Sequence, residues 1–102
     1  MIPKNYNAFV ESFTGENPNA LWPEALKALW YDGKGDWEKA HSIAQDVPTV
    51  LGNWIHAYLH RKEGDEWNAG YWYQRAYREY PAVGLNKEFE ELVKAVIKSK
   101  RV

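Results

Sequence analysis

A helix–turn–helix pattern at residues 51–81 constrains the fold of this chain more than any other feature. Five apolar residues ahead of the turn have the spacing of a single helix face: Leu51, Trp54, Ile55, Tyr58 and Leu59. Gly64 suits the end of that helix, because glycine adopts left-handed backbone at little cost, and Asp65 can cap the next. A second apolar stripe, which Pro81 is predicted to end, follows the turn: Ala69, Trp72, Tyr73, Ala76 and Tyr80. The pattern predicts a helical hairpin.

The same turn occurs earlier in the chain. Gly35-Asp36 is followed four residues later by Ala40, as Gly64-Asp65 is followed by Ala69, at an offset of 29 residues. Upstream, Ala28 and Tyr31 provide a small and an aromatic residue on a preceding helix. Downstream, Pro48 is expected to cut the following helix short. The repeated turn predicts a second, shorter hairpin.

Residues 50–83 resemble one tetratricopeptide repeat (TPR), a helical hairpin of about 34 residues with small side chains where its helices cross. The small, aromatic and proline positions of that repeat are matched by Ala57, Ala69, Tyr73, Ala76 and Pro81. Three large apolar positions of its first helix are instead polar: Asn53, His56 and His60. Either this helix is rotated or a polar cluster replaces part of the core. The resemblance implies TPR-like stacked hairpins with a groove for a partner.

A wider stretch, residues 21–81, is similar to a group of small bacterial proteins of unassigned function. That resemblance covers about 60 of the 102 residues. It is carried by the Gly-Asp-Trp-Glu-x-Ala-His segment from Gly35 and by the segment from Trp54 to Asp65. It implies no activity.

The whole chain, residues 1–102, is predicted to be one TPR-like all-α domain of about six helices. It divides into an N-terminal flanking helix and loop at 1–20, a partial repeat at 21–47, a fuller repeat at 50–83 and a C-terminal capping helix at 86–100. Thr49 and Asn86 are the expected caps of the helices that follow them. Two repeats make a short array, so either the flanking helices or a homodimer would supply further layers.

Composition excludes several classes of function. Aromatic residues make up 16% of the chain, more than a core of this size needs, and some are expected in a groove. The net charge of −1 with mixed signs gives no electrostatic reason to expect nucleic acid or an anionic membrane. Because there are no cysteines, thiol chemistry and cysteine-bound metals are excluded. No signal-peptide or membrane-spanning pattern is evident, so we expect a cytoplasmic protein.

Histidines provide the sharpest chemical hypothesis. His56, His60 and Glu63 lie one helical turn apart in succession, and His41 lies on the preceding helix. Imidazole nitrogens and a carboxylate on one face can ligate a divalent metal. The zinc-protease motif is excluded, because Ala57 stands where that motif needs glutamate. We favour a structural polar face, hydrogen-bonded to neighbours such as Asp32 or Asn68, over the metal site, and acid–base catalysis is the third interpretation.

Partner binding is the favoured function. Arginines and tyrosines are typical of protein-binding hot spots, and the candidates are Arg61, Tyr71, Arg75 and Arg78. Tyr71, Arg75 and Arg78 could also bind RNA by stacking and phosphate contacts, although the net charge favours a protein or peptide. No phosphate-binding loop or catalytic triad is present, so the sequence does not predict an enzyme. The alternative to an interaction module is a protein that binds a metal or small ligand at the histidines.

Overall fold

The computed structural model describes residues 2–99. Within that range the chain forms six α-helices and no strand, which confirms the predicted all-α class. The helices are α1 (Tyr6–Glu11), α2 (Glu24–Gly33), α3 (Trp37–Ala44), α4 (Val50–Lys62), α5 (Glu66–Arg75) and α6 (Leu85–Lys98), and a 3-10 turn (Ser12–Thr14) follows α1. The ends of the predicted segments 1–20 and 86–100, at residues 1 and 100, lie outside the described residues. None of these helices is long and apolar enough to cross a membrane.

Two near-identical turns connect α2 to α3 and α4 to α5. Gly35 and Gly64 adopt φ of 88° and 89°, the left-handed region that favours glycine. The aspartates that follow cap the next helices, since Asp36 accepts from the backbone N–H of Lys39 and Asp65 from that of Asn68. Each turn therefore folds the chain back on itself, as the sequence predicted.

Helix α5 ends at Arg75, not at Pro81 as predicted. The backbone N–H of Arg78 donates to the carbonyl of Tyr73, and that of Tyr77 donates to the carbonyl of Gln74. These bonds form the same helix-ending motif as the glycine turns, with Tyr77 at φ 58° in the left-handed position. The motif was not predicted, because a tyrosine rarely adopts this conformation.

Helix α4 lies at the centre of the molecule and packs against α2, α3, α5 and α6. The close packing of α4 against the loop that precedes this helix depends on Gly52, because an added Cβ there would lie 2.2 Å from the carbonyl oxygen of Val47. Helix α6 packs against α1, α2 and α4. Its predicted cap is wrong, since α6 begins at Leu85 after Gly84 and not after Asn86. The core consists mainly of Phe9, Leu26, Leu29, Trp30, Ile55, Leu59, Tyr73, Leu92, Val93 and Val96.

Candidate metal centre

All three histidines of the chain meet on one side of α4. His56 and His60 project from successive turns of α4, and His41 comes from α3. One ring nitrogen from each lies within 4.8 Å of the others, and the Nε2 atoms of His41 and His56 are 3.0 Å apart. His56 is buried, whereas the other two are half-buried. We call these three residues the histidine cluster.

Two tryptophans enclose the histidine cluster. Trp37 of α3 stacks on His41 at a centroid distance of 4.8 Å, and Trp72 of α5 stacks on His56 at 4.1 Å. The indole N–H of Trp37 donates to the carbonyl of Leu59 at 2.7 Å, which fixes that ring against α4. Trp72 was predicted to lie in the core, but it is only partly buried because it forms a wall of this cluster. Three helices therefore hold the imidazoles in place.

Glu63 orients His60. Its Oε2 lies 2.8 Å from Nδ1 of His60, so Nε2 is the nitrogen of His60 left for a ligand. This imidazole is also the ion-pair partner of Glu63. Asp65 also lies close to His60 and Glu63, although its oxygens accept from Asn68 as part of the α5 cap. A carboxylate behind a histidine is the usual outer partner of a metal-ligating imidazole.

Two of the three imidazoles, those of His41 and His56, favour the neutral form. Burial lowers the pKa of His56 to about 4, and the neighbouring His41 and His60 add to that shift. The pKa of His41 is lowered as well, first by burial and then by His60. Both rings are therefore neutral at pH 7, which is the form in which histidine binds a metal.

The predicted structural partners of the histidines are engaged elsewhere. The carboxylate of Asp32 accepts from the hydroxyl of Tyr58 at 3.1 Å and from Nζ of Lys62 at 2.9 Å. The side chain of Asn68 donates to Asp65. Within residues 2–99, the side-chain hydrogen bonds of the histidines are to one another and to Glu63, with Asp65 nearby.

The predicted partner-binding residues do not all reach the surface. Tyr71, Arg75 and Arg78 are exposed, as expected. The guanidinium of Arg61 is instead bound internally, donating to the buried Glu88 at 2.7 Å and to the carbonyl of Val83 at 2.6 Å. Sequence reasoning also missed Glu88, because a glutamate in the first turn of a helix usually faces solvent.

Comparison of the chain with models of protein families, with curated proteins and with solved structures finds no match.

Proposed function

We propose that this protein binds a divalent transition-metal ion through the histidine cluster. The observation that carries the proposal is the convergence of three ring nitrogens, from two helices, within 4.8 Å of one another. Imidazole is a good ligand for zinc, copper and nickel, whereas magnesium and calcium prefer oxygen.

The spacing requires only a small adjustment. Zinc–nitrogen bonds of about 2.0 Å in a tetrahedral site place the nitrogens of two ligands roughly 3.3 Å apart. His41 and His56 are already close to that separation at 3.0 Å, and a ring nitrogen of His60, within 4.8 Å of the other two, has to approach by no more than about 1.5 Å. Three imidazole ligands leave a fourth position for water, with Glu63 as an outer partner rather than the direct ligand considered from the sequence.

Calorimetric titration of the untagged protein with zinc and with nickel tests this proposal. We expect one saturable site, with loss of at least tenfold in affinity in His41→Ala and in His60→Ala. Glu63→Gln should weaken binding by about tenfold, since outer partners typically have that effect. Lys39→Ala, an exposed change on α3, is the matched control and should bind as the parent does.

A structural role for the cluster predicts a different result. If the histidines serve only the fold, His56→Ala lowers the melting temperature of the metal-free protein and the parent shows no saturable metal binding. Binding that persists when all three histidines are replaced by alanine would also contradict the proposal.

A second candidate function is peptide binding by a TPR-like array, and the outer face of α5 supports it. Trp67 and Tyr71 are 78% and 44% exposed, and their rings lie nearly parallel at a centroid distance of 6.4 Å. Arg75 continues this row, with its guanidinium carbon 5.6 Å from the Tyr71 ring centroid. Among residues 2–99 it has no carboxylate within ion-pair distance, so the favoured partner is a peptide with an acidic residue.

Selection from a random peptide library tests the second candidate. Enriched peptides should carry an acidic residue, and Trp67→Ala and Arg75→Ala should each weaken their binding by at least fivefold. Lys87→Ala, an exposed change on α6, is the control. If the enriched peptides bind these variants as tightly as they bind the parent, the binding surface lies elsewhere. Sedimentation would show whether the outer face of α5 instead pairs two copies of the chain.

A further inference from the structure

A cavity of about 430 Å³ lies on the side of α4 where the α5–α6 loop meets α6. Its walls combine an indole, two phenols and charged groups, chiefly Trp54, Tyr77, Arg78, Tyr80, Glu88 and Glu91. It shares no residue with the histidine cluster. Its volume is in the range of small-molecule sites.

The floor of the cavity is rigid. Glu88 is 1% exposed, and its Oε2 accepts from the indole N–H of Trp54 at 3.0 Å and from the hydroxyl of Tyr73 at 2.6 Å. Its Oε1 accepts from Arg61 at 2.7 Å, so this carboxylate is fully engaged. The Trp54 ring is therefore held in one orientation beneath the cavity.

The outer charges of the cavity lack internal partners. Arg78, Glu79 and Glu91 all line it, and none forms an ion pair within the described part of the chain. The guanidinium of Arg78 lies on the face of Trp54, at 3.5 Å from the ring centroid. Stacking leaves the N–H groups at the edge of a guanidinium available for a carboxylate in its plane.

Tyr77 also lines the cavity. It is the one non-glycine residue among 2–99 with a positive φ, at 58°, and its side chain is 86% exposed while lining the cavity. A left-handed conformation costs a non-glycine residue about 1 kcal/mol or more. The helix-ending motif after α5 accounts for this φ, and it places the exposed phenol of Tyr77 at the cavity.

We propose that this cavity binds a small zwitterion, an α-amino acid with an aliphatic side chain. Its carboxylate pairs with Arg78 and its ammonium group with Glu91, while its side chain packs against Pro81 and Val83, which also line the cavity. A ligand that carries both charges matches the walls of the cavity, because the guanidinium of Arg78 and the carboxylates of Glu79 and Glu91 have no ion-pair partner in the described part of the chain. A purely anionic ligand would face Glu79 and Glu91 without compensation.

The experiment is an NMR titration with L-leucine that follows the resonance of the Trp54 indole N–H. EDTA is present throughout, so that bound metal does not contribute. We expect a saturable shift. N-acetyl-leucine, which keeps only the carboxylate like the C-terminus of a peptide, should bind at least tenfold more weakly. Leucinamide, which keeps only the ammonium group like a peptide N-terminus, should also bind at least tenfold more weakly. Equal binding of either analogue, or no saturable shift with leucine, would overturn the proposal.

Side-chain variants locate the site. Arg78→Ala and Glu91→Gln should each reduce the affinity for leucine by at least tenfold, and Arg78→Lys, which loses the planar guanidinium, by at least threefold. Lys87→Ala is the control, because Lys87 is an exposed cation on α6 that lies outside this cavity. Unchanged affinity in Arg78→Ala, or an equal loss in Lys87→Ala, would contradict the assignment.

Discussion

At the scale of single residues, the buried carboxylate of Glu88 joins α6 to the rest of the molecule. It accepts hydrogen bonds from Trp54 and Arg61 of α4 and from Tyr73 of α5. An ionised carboxylate is buried at acceptable cost only when such donors replace its water. One residue thus connects three helices.

Glu88→Gln should destabilise the protein by about 3 kcal/mol, because it leaves Arg61 without its counter-charge and places an amide against donors. Urea denaturation followed by circular dichroism measures the change. Glu90→Gln is the control on the same helix, since the surface pair of Glu90 with Lys94 contributes less than about 1 kcal/mol. Equal effects of the two substitutions would contradict a central role for Glu88.

His56 makes the metal-free protein sensitive to acid. Its pKa is about 4 in the folded state against 6.5 ordinarily, so the unfolded chain binds more protons between those values. Stability should therefore fall by about 2 kcal/mol from pH 7 to pH 5. In urea denaturation across this range, His56→Gln should reduce the slope, and the lowered pKa of His41 contributes in the same direction as that of His56. A slope identical to that of the parent would disprove the contribution of His56.

At the scale of helices, the two glycine turns are the most local features of the fold. Their conformation depends on residues adjacent in sequence, namely a glycine that reverses the chain and an aspartate that caps the next helix. Both turns were therefore predictable. The end of α5 was not, because Tyr77 takes the left-handed position that glycine takes in the other two.

Gly64→Ala should destabilise the protein by about 1 kcal/mol, since alanine at φ 89° is strained. Gly70→Ala is the matched opposite case. It lies inside α5, where an added methyl group meets no neighbour within 4 Å, so we expect a gain of about 0.5–1 kcal/mol. Thermal unfolding of both variants measures these changes. A higher melting temperature in Gly64→Ala would show that alanine is not strained at this φ.

At the scale of the whole molecule, α6 supplies the layer that two hairpins lack. Leu92, Val93 and Val96 are buried against α2 and α4, and each contributes about 2 kcal/mol through burial. Removal of residues 85–102 should abolish cooperative thermal unfolding, as measured by circular dichroism. The free energy of burial lost with these three side chains is comparable to the whole stability of a small domain. A truncated chain that still unfolds cooperatively would show that the hairpins are stable without α6.

The sequence alone determined the all-α class, the two Gly-Asp turns, the Thr49 cap and the placement of His56 and His60 on one helix face. These depend on backbone preferences and helical spacing over a few residues. The sequence also indicated that His41 lies near His56 and His60, but it did not specify the distances between the three rings.

Only the tertiary structure decided the contacts between helices. It placed Trp72 on His56 rather than in the core, engaged Arg61 with Glu88, and brought Arg78 over Trp54. These contacts join residues on different helices, or on a helix and a loop. They depend on how far each helix is rotated about its axis and on the path of the chain after Tyr77. That rotation is set by packing across the whole core, and no local pattern in the sequence specifies it.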